Sequence, residues 1–491
     1  MNIPIYLVSE IFLSLIMRTI PVLILFIFLI LSTGLTNAQD STITYSANIQ
    51  TSLANGMTPY WLQTNQYGVI PLNGSFVSGQ WGIFKVYNPG NPRLIQWSAG
   101  AQLITNTGKS NTIFFTDLYA ALKIGPVEIS VGPRREFMGL SDSTLTSGGI
   151  AMSDNTRPYP KFQIATPNFV NIIPFNDIIS FKFNYSDGLL GSSKINYGNV
   201  REIPVTYMHQ KSLYFRVGGK RHKLSLYAGF NHQAIWGGEE KIFAGGLKTW
   251  EAYKYVILGK PWANSRVGNH FGTIDIAAEW RGNAWNIFLY RQNIYEDGSL
   301  AQLTNIKDGL NGLRFRRAKI DRNDLSLKLN TLLLEFVYTK EQGGNVFNFD
   351  QGIFGNDNYF NHYVYDQGWS YRGRALGTPL VAPTNMLSND IPRDGRGFTI
   401  NNRIMAIHLG LMGSFNKIDF LIKGTYSQNF GTYATPFSPS LNQYSLLIRV
   451  EKPVRIWNTS LLSLSLAGDQ GKLYPNTSAI TIGWRKVGFL K

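Results

Sequence analysis

The connections between its apolar stretches are the feature of this chain that most limits its fold. Segments about ten residues long alternate apolar and polar side chains, which is the period of a β-strand. The segments come in pairs joined by a very short turn, as SFN joins NRIMAIHLGLMG to KIDFLIKGTYS. Between the pairs the connections are long and polar, and they cover residues 134–159, 187–210, 231–271, 294–311 and 341–400.

The number of these segments is even. With an even number of strands both chain ends lie on one side, so the short turns fall on that side and nearly all the long connections fall on the other. Among β-sheets only a closed barrel can cross a membrane, because it pairs every backbone polar group in lipid. Outer-membrane barrels have short periplasmic turns and long outer loops, which is the pattern seen here. We count eighteen segments, near residues 43–53, 80–87, 93–105, 112–124, 127–133, 160–170, 178–186, 211–218, 222–230, 272–281, 285–293, 312–320, 325–340, 401–412, 417–427, 441–452, 459–468 and 477–487.

A soluble β-propeller or sandwich is the competing fold, because it also has many short strands and turn signals. Neither fold predicts alternating short and long connections, nor Trp and Tyr near strand ends as in WGIFKVY and ITIGWRK. The sequence therefore predicts an all-β fold, an antiparallel transmembrane β-barrel of about 18 strands with long outer loops. A barrel of this size conducts water unless an internal plug fills it.

The N-terminus carries a targeting signal. One arginine precedes an apolar run that ends at Leu31, and small residues follow up to Ala38, where a signal peptidase can cleave. An N-terminal membrane anchor is the alternative, because this run could also span a bilayer. We predict a cleaved signal peptide over residues 1–38, of which 1–16 are an over-extended start, and a single outer-membrane barrel domain over 39–491.

Charge and cysteine content limit the chemistry and the partners. The chain has no cysteine, which excludes disulfides, a cysteine nucleophile and cysteine-ligated metals. Only 15% of its residues are charged, yet the formal net charge is +16. This balance favours polyanionic partners, such as lipopolysaccharide phosphates or acidic polysaccharide, and export disfavours nucleic acid.

Motifs of known catalytic sites are absent from the sequence. It has no nucleophile elbow, zinc-protease helix, phosphate loop or dinucleotide fingerprint, and its six histidines are scattered. Asp350, Asp357 and Asn358 offer oxygen ligands, but their spacing departs from that of a calcium loop. We therefore predict a protein that is not an enzyme and has no metal or cofactor, and an outer-membrane hydrolase is the disfavoured alternative.

The long polar loops carry the candidate ligand-binding residues. They combine aromatic rings with planar hydrogen-bonding groups, as in NHQAIWGG and KPWANSRVGNHFG. Sugar rings pack on aromatic faces, and arginine binds a uronic carboxylate through two parallel hydrogen bonds. The alternative is that the loops pack on one another inside the barrel, with the tryptophans buried and the arginines paired to Asp. The candidates for carbohydrate binding are Arg157, Trp236, Arg266, Tyr363, Trp369, Arg372 and Arg374.

Four segments resemble the Wzi capsule-assembly family of Gram-negative outer-membrane proteins. LTSGGIAMSDNTRPYPKFQI, at 145–164, is similar to the family's Ser-x-Asn-x-x-Pro segment, with Ser153, Asn155 and Pro158 at the matching positions. TPYWLQTNQYGVIPLNGS, at 58–75, resembles the family's N-terminal Trp-Leu segment. RQNIYEDGSLAQLTNIKDGLNGLRF and NYFNHYVYDQGWSYRGRALGTPL look like stretches of its long-loop branch.

The resemblance implies an eighteen-stranded barrel, occluded from within, that acts as a lectin and attaches or organises exported polysaccharide at the cell surface. It also implies a helical segment near the periplasmic side, for which only residues 53–79 are available. The expected partners are anionic surface or capsular polysaccharide, lipopolysaccharide and outer-membrane lipid, and other polysaccharide export components. The alternative function is a general diffusion porin or solute channel, which the strand pattern equally permits.

Overall fold

The computed structural model describes residues 42–490, except 89, 92, 175, 263–264, 297–299, 301, 321–324, 349, 394–396 and 456–459. The predicted signal peptide over 1–38 lies outside the described residues. Within them, no helix has both the length and the apolar character needed to cross a membrane.

Most of the described chain is β-strand. The strands are β1 (Ile43–Ala54), β2 (Phe76–Lys85), β3 (Ile95–Gly108), β4 (Thr112–Ile124), β5 (Val127–Val131), β6 (Lys161–Ala165), β7 (Val170–Ile173), β8 (Asn176–Lys194), β9 (Glu202–Val217), β10 (Leu224–Trp236), β11 (Pro261–Trp262), β12 (Ser265–Arg266), β13 (Asn269–Arg281), β14 (Trp285–Tyr295), β15 (Gly309–Arg317), β16 (Lys328–Tyr338), β17 (Ser370–Tyr371), β18 (Arg374–Ala375), β19 (Ile404–Phe415), β20 (Ile418–Gly431), β21 (Pro436–Val454), β22 (Ser460–Gly471) and β23 (Thr477–Phe489). The helices are α1 (Tyr60–Gln63), α2 (Glu239–Ile242), α3 (Thr249–Leu258) and a 3-10 turn at Thr384–Met386.

A single antiparallel sheet closes on itself. It contains nineteen strands, and β1 pairs with both β2 and the last strand, β23. β6 and β7 pair with the same strand, β8, and together occupy one position in the wall. The wall therefore has eighteen positions, which confirms the predicted fold class and strand number. The hairpins β11–β12 and β17–β18 lie outside this sheet.

The two ends of the barrel differ as the sequence predicts. Both chain termini lie at one end, here called the terminal end, and the long connections lie at the other, here called the loop end, together with the short turns 109–111, 432–435 and 472–476. In barrels of this kind the end with long loops faces outward and the end with short turns faces the periplasm. The large connections at the loop end are residues 55–75, 132–160, 237–268, 296–308 and 339–403.

One predicted long connection is wrong. The region 187–210 is mostly strand, because β8 continues to Lys194 and β9 begins at Glu202. Pairing between these two strands continues beyond the apolar alternation, with a register shift near Gly191. Backbone hydrogen bonds hold these extensions together without an apolar face, so the hydrophobic pattern ends before the strand does.

The outside of the wall is apolar and its inside is polar. Asp275 is fully buried in the lumen, while its neighbours Ile274 and Ile276 are exposed on the outer surface. Other strands repeat the pattern, since buried His408 and Glu335 each lie between exposed apolar residues. A broad apolar outer surface is stable in a bilayer and not in water, so this is a transmembrane barrel of the outer-membrane type.

Three connections fold into the lumen. Residues 55–75, 132–160 and 339–403 contribute buried apolar side chains that pack with inward-facing wall residues, and we call this cluster the lumen core. The region 53–79 forms no helical bundle on the periplasmic side. It leaves the wall at the loop end, and its glycines and prolines limit it to the four-residue helix α1.

Candidate anion site in the barrel lumen

The connection 132–160 is held inside the barrel by buried carboxylates of the wall. Glu335 accepts hydrogen bonds from the Thr146 hydroxyl at 2.7 Å and from the Ser147 backbone N–H at 2.6 Å. The Tyr290 hydroxyl donates to the same carboxylate. Because bonds to a charged group are stronger than neutral ones, Glu335 fixes the middle of this connection against β16.

A second carboxylate fixes the same connection from the inside. Asp142 accepts hydrogen bonds from the backbone N–H groups of Thr144 and Leu145, at 2.9 and 2.8 Å. Its other oxygen pairs with Arg314 at 3.3 Å and with Arg316 at 2.8 Å, both on β15. These bonds and the two arginines lower the pKa of Asp142 although its burial acts in the opposite direction. The connection is therefore anchored at two points.

Removing the Glu335 carboxylate is expected to loosen the connection 132–160. Glu335→Ala deletes hydrogen bonds to a charged group, which contribute about 1.5–3 kcal/mol each. Hydrogen–deuterium exchange of the backbone over residues 141–150 should rise in this variant. The matched control is Glu240→Ala, because Glu240 is exposed in an outer loop. Equal exchange in both variants would show that Glu335 does not hold the connection in place.

The helix α1 is part of the lumen core. The Tyr60 backbone N–H donates to the Asp469 carboxylate at 2.7 Å, and the Trp61 indole N–H donates to the Thr425 hydroxyl at 3.0 Å. The Trp61 ring also packs on the His408 imidazole, with a centroid distance of 4.8 Å. These contacts place the tryptophan ring against β19 and β20 in the interior.

A cavity of about 260 Å³ lies between these connections and the wall. The strands β20 and β21 form one side, and residues 65–67 and 143–154 form much of the other. Toward the terminal end the inward-facing wall residue Asp419 is exposed, so water reaches the lumen wall just below the cavity. The charged side chains that line it are Asp154, Lys423 and Arg449.

Lys423 is the unusual member of this lining. Its side chain is only 7% exposed, and its ammonium group lies 5.1 Å from the centre of the Trp61 ring. Across residues 42–490, apart from the gaps named above, it makes no hydrogen bond and no ion pair. A buried ammonium that forms no ion pair is costly, so an anion in the cavity would stabilise this arrangement.

Arg449 adds a second positive charge. Lys423 pairs in register with Leu447, and Arg449 pairs with Leu421, so both cations face the lumen on neighbouring strands. The Arg449 Nε donates to the Ser465 hydroxyl at 3.1 Å, which leaves its terminal amino groups available to a ligand. An arginine and a lysine side by side provide several donors for a carboxylate or a phosphate.

Asp154 partly opposes these two cations. Burial raises its pKa to about 6, while the hydrogen bond from the Tyr67 hydroxyl and the charges of Lys423 and Arg135 act in the opposite direction. One carboxylate against two cations leaves the cavity with a net positive charge. The cavity therefore favours an anionic ligand.

Among the candidates from the sequence, Arg374 is a buried structural residue. Its guanidinium donates to the Gln63 backbone carbonyl at 3.2 Å, to the Gln63 side-chain carbonyl, and to the Ile70 carbonyl at 2.6 Å. Burial lowers its pKa to about 10, and the charge of Arg157 acts in the same direction. Arg374 joins the connections 339–403 and 55–75.

Arg372 has the opposite environment. It lies at the tip of the β17–β18 hairpin with a φ of +52°, followed by Gly373 with a φ of +74°. Its guanidinium is exposed and lies 5.7 Å from the Tyr371 ring centre. The segment that carries Arg157 lies near this hairpin, since the Tyr159 ring is edge-on to the Tyr371 ring with a centroid distance of 6.0 Å.

The two candidate tryptophans are enclosed by protein. Trp369 is 1% exposed, packs on Phe271, and donates its indole N–H to the Ala151 carbonyl at 2.8 Å. Trp236 is also buried, with Tyr207 and Tyr253 packed against its ring. Both rings fill the interior of folded connections.

The remaining candidates lie in separate places on the loop end. Tyr363 is exposed and lies edge-on to Tyr197, with a centroid distance of 6.0 Å. Arg266 donates to the Tyr295 hydroxyl at 2.9 Å. The structure therefore brings together Arg157, Arg372 and Arg374, and it does not bring the other candidates to the same site.

Sequence reasoning missed Lys423 and Arg449. Both lie in strands, whereas the residues predicted to bind ligand all lie in or beside the long loops. A signal for both was present, because in KIDFLIKGTYS and LLIRVEKP a basic residue takes a position that alternates with apolar, outward-facing ones. A basic residue on the polar face of a barrel strand points into the lumen.

Among known proteins, this chain shows similarity only to solved structures. No protein-family model matches the chain, and no curated protein matches it significantly. OccK5 (OpdH) of Pseudomonas aeruginosa is similar at 8% identity and a TM-score of 0.45, over 91% of this chain and 98% of that one. OccAB4 of Acinetobacter baumannii has 8% identity and a TM-score of 0.45, over 92% of this chain and 100% of that one.

A loop L8 deletion mutant of OmpT, an outer membrane protein of Vibrio cholerae, is also similar. The identity is 10% and the TM-score 0.34, over 91% of this chain and 99% of that one. Nothing in these comparisons tests the resemblance to the Wzi family, which stays a prediction.

Proposed function

We propose that this chain is an outer-membrane barrel that binds a small acidic solute in its lumen and acts as a narrow, anion-selective solute channel. The observation that carries the proposal is Lys423, a buried cation that lines a cavity and forms no hydrogen bond or ion pair among the described residues. Arg449 beside it supplies the second donor group. A wall built only for stability would have an uncharged residue at such a position.

The filled lumen supports a narrow channel rather than a general diffusion porin. Barrels of sixteen to eighteen strands enclose an aqueous channel when nothing fills them. Here inward-facing residues from much of the wall pack with three connections in the lumen core. A solute that passes must move through the space that these connections leave, and the cationic cavity is part of that space.

The chemistry of the cavity indicates the class of solute. A carboxylate or phosphate would accept hydrogen bonds from Lys423 and Arg449. The cavity volume of about 260 Å³ is slightly below the usual range for small-molecule sites. An acidic monosaccharide, such as a uronate or a sugar phosphate, fits these properties.

The experiment is a measurement of ion selectivity after reconstitution in a planar bilayer. With a salt gradient, the reversal potential should indicate preference for chloride over potassium, and added galacturonate should reduce the current. Lys423→Met and Arg449→Met should each weaken the galacturonate effect roughly tenfold, since each removes hydrogen bonds to a charged group.

The control for this experiment is Lys472→Met. Lys472 is exposed at the loop end, so its replacement removes the same charge away from the cavity. If the control and the two cavity variants change selectivity equally, net charge and not the cavity determines it. If galacturonate has no effect on the parent protein, the proposed solute class is wrong.

Binding of surface polysaccharide is a second candidate function. The loop end exposes Trp250, Tyr363 and Tyr197, and it exposes Arg372, which forms no ion pair among the described residues. Exposed aromatic faces and an unpaired arginine suit an acidic polysaccharide, and the resemblance to the Wzi family points the same way. In this case the protein is a lectin that attaches capsular polymer to the cell surface.

The second candidate has its own test. The purified barrel should retain the producing cell's surface polysaccharide, and retention should weaken as salt screens the arginine charge. Arg372→Gln should reduce retention, while Lys423→Met should leave it unchanged because Lys423 is buried in the lumen. Equal retention by Arg372→Gln and the parent protein at every salt concentration would exclude this arginine as a binding residue.

A further inference from the structure

A second cavity lies beside the one that Lys423 lines, and we call it the Arg157 cavity. Its volume of about 60 Å³ is enough for a carboxylate group or a few waters. Tyr67 and Ser153 line both cavities, so the two spaces are neighbours in the lumen. The wall residues of the Arg157 cavity come from β6 and β9, whereas those of the Lys423 cavity come from β20 and β21 on the opposite side of the barrel.

The charges that line the Arg157 cavity are mostly paired with each other. Arg134 pairs with Glu128 at 2.8 Å, and Lys161 pairs at 2.6 Å with Glu136, the carboxylate that lines this cavity. Arg157 forms no ion pair in the part of the chain that the structure describes. Its charge is therefore the one that an anionic ligand in the cavity would compensate.

Two buried donor groups in this lining have no acceptor. They are the Arg157 Nε and the Tyr159 hydroxyl, and neither has a hydrogen-bond partner among the described residues. Buried polar groups in native proteins nearly always have a partner, because leaving one without a hydrogen bond costs its whole energy of hydration. A carboxylate in the cavity would accept a hydrogen bond from each of these groups.

The surrounding structure holds Arg157 in place. Its guanidinium lies 3.4 Å from the centre of the Phe114 ring, and that ring packs against the apolar cluster of Val69, Ile70, Phe76 and Ile104. On the backbone side, a Cβ added to Gly68 would lie only 3.1 Å from the Arg157 nitrogen, and Pro158 fixes the next φ angle. A donor group that is fixed before binding loses little conformational entropy when a ligand arrives.

The two cavities are close enough for one small solute to occupy both. Asp154 lines the Lys423 cavity and Arg157 lines the other, and their Cα atoms are at most about 11 Å apart because three residues of chain separate them. The Tyr67 backbone N–H donates to the Asp154 carbonyl at 2.5 Å, which fixes the side chain that both cavities share. An acid with a carboxylate at each end of a short carbon chain can reach from one cavity to the other.

We propose that the Arg157 cavity is a second anion subsite, and that the preferred solute of this barrel is a sugar diacid with a carboxylate at each end. The inference rests on the proposed function and adds the second acidic group that the solute carries. One carboxylate binds Lys423 and Arg449, and the other binds Arg157 and the Tyr159 hydroxyl. A solute with a single carboxylate leaves one of the two subsites without a counter-charge.

The test compares three acids as blockers of the current through the barrel in a planar bilayer. Galacturonate has one carboxylate, galactarate has one at each end, and malonate has two that are too close together to reach both cavities. Galactarate should block the parent at a roughly tenfold lower concentration than the other two acids, because it binds both subsites. Arg157→Gln should abolish this advantage and leave the galacturonate block as in the parent, whereas Lys423→Met should weaken the block by all three. Arg221→Gln is the matched control, because Arg221 is exposed at the terminal end, and it should keep the full advantage of galactarate.

Four results would overturn the second subsite and leave the solute channel standing. The first is equal block of the parent by galactarate and galacturonate. The second is equal block by malonate and galactarate, which would show that solute charge alone determines the affinity. The third is an unchanged advantage of galactarate in Arg157→Gln. The fourth is loss of the galacturonate block in the same variant, which would give Arg157 a structural role in the lumen. Absence of block by every acid would contradict the proposed function itself, and the subsite with it.

Discussion

Replacing residues 341–402 by a short turn is expected to convert a nearly closed barrel into an open pore. This connection supplies a large share of the lumen core, including the buried side chains of Phe360, Trp369 and Leu387. The strands on either side are adjacent, because Tyr338 pairs in register with Met405, so a turn of about four residues can join them. Without this connection the wall encloses water, and single-channel conductance should increase several-fold.

The control is a smaller deletion within the same connection. Residues 345–353 form its tip, most of whose described side chains are exposed, and their removal should leave the conductance near that of the parent. Both variants should still insert, because the paired strands of the wall are intact. If conductance stays low after the large deletion in a correctly inserted barrel, the connection 339–403 is not the barrier to flow.

Trp369→Ala is expected to destabilise the packing of the same connection strongly. The indole is 1% exposed, contacts Phe271, and donates to the Ala151 carbonyl. Removing a buried tryptophan leaves a cavity and an unpaired acceptor, at a cost of about 3–5 kcal/mol. Hydrogen–deuterium exchange over residues 357–382 should increase, and proteases should cleave this region at a lower temperature.

Trp250→Ala is the matched control for this substitution. It removes the same ring from the exposed face of α3, where the side chain is 67% exposed, so it should change neither exchange nor cleavage. The sequence predicts that Trp369 contacts sugar, whereas its burial favours a role in packing. If Trp369→Ala lost polysaccharide binding and kept full exchange protection, Trp369 would be a ligand-binding residue and not a packing residue.

The strands were predictable because two independent patterns agree along the chain. Alternation of apolar and polar residues defines each strand, and a short turn defines the strand it pairs with. The segments 401–412 and 417–427 were predicted in this way, and the structure has them as Ile404–Phe415 and Ile418–Gly431. The failure at 187–210 has a physical cause. Outside the bilayer a paired strand needs no apolar face, so hydrophobic alternation detects the membrane-spanning part of β8 and β9 and misses their extensions.

The candidate site was much less predictable than the fold. Aromatic residues mixed with Asn, Asp and Arg are typical of sugar-binding loops, but a connection folded into a polar lumen needs the same composition. Trp369 supplies buried apolar area there, and Arg374 satisfies backbone carbonyls of another connection. The cations of the cavity lie on wall strands, where only an assignment of each residue to the lumen or lipid face reveals them.

The strands β5 and β6 were predicted, but their short length was not. The segments 127–133 and 160–170 have strand character, and nothing in their alternation shows how far they pair. Proline at 158 and 160 removes two backbone donors, and β6 begins directly after them at Lys161.

Bilayer conductance of the unmodified protein, measured with and without galacturonate, tests the central claim most directly. A barrel with a packed lumen and a cationic cavity should show a small conductance, a preference for anions, and a saturable decrease in current when galacturonate is added. A large conductance with no ion preference and no response to galacturonate would contradict both the packed lumen and the anion site, and would indicate a general diffusion porin.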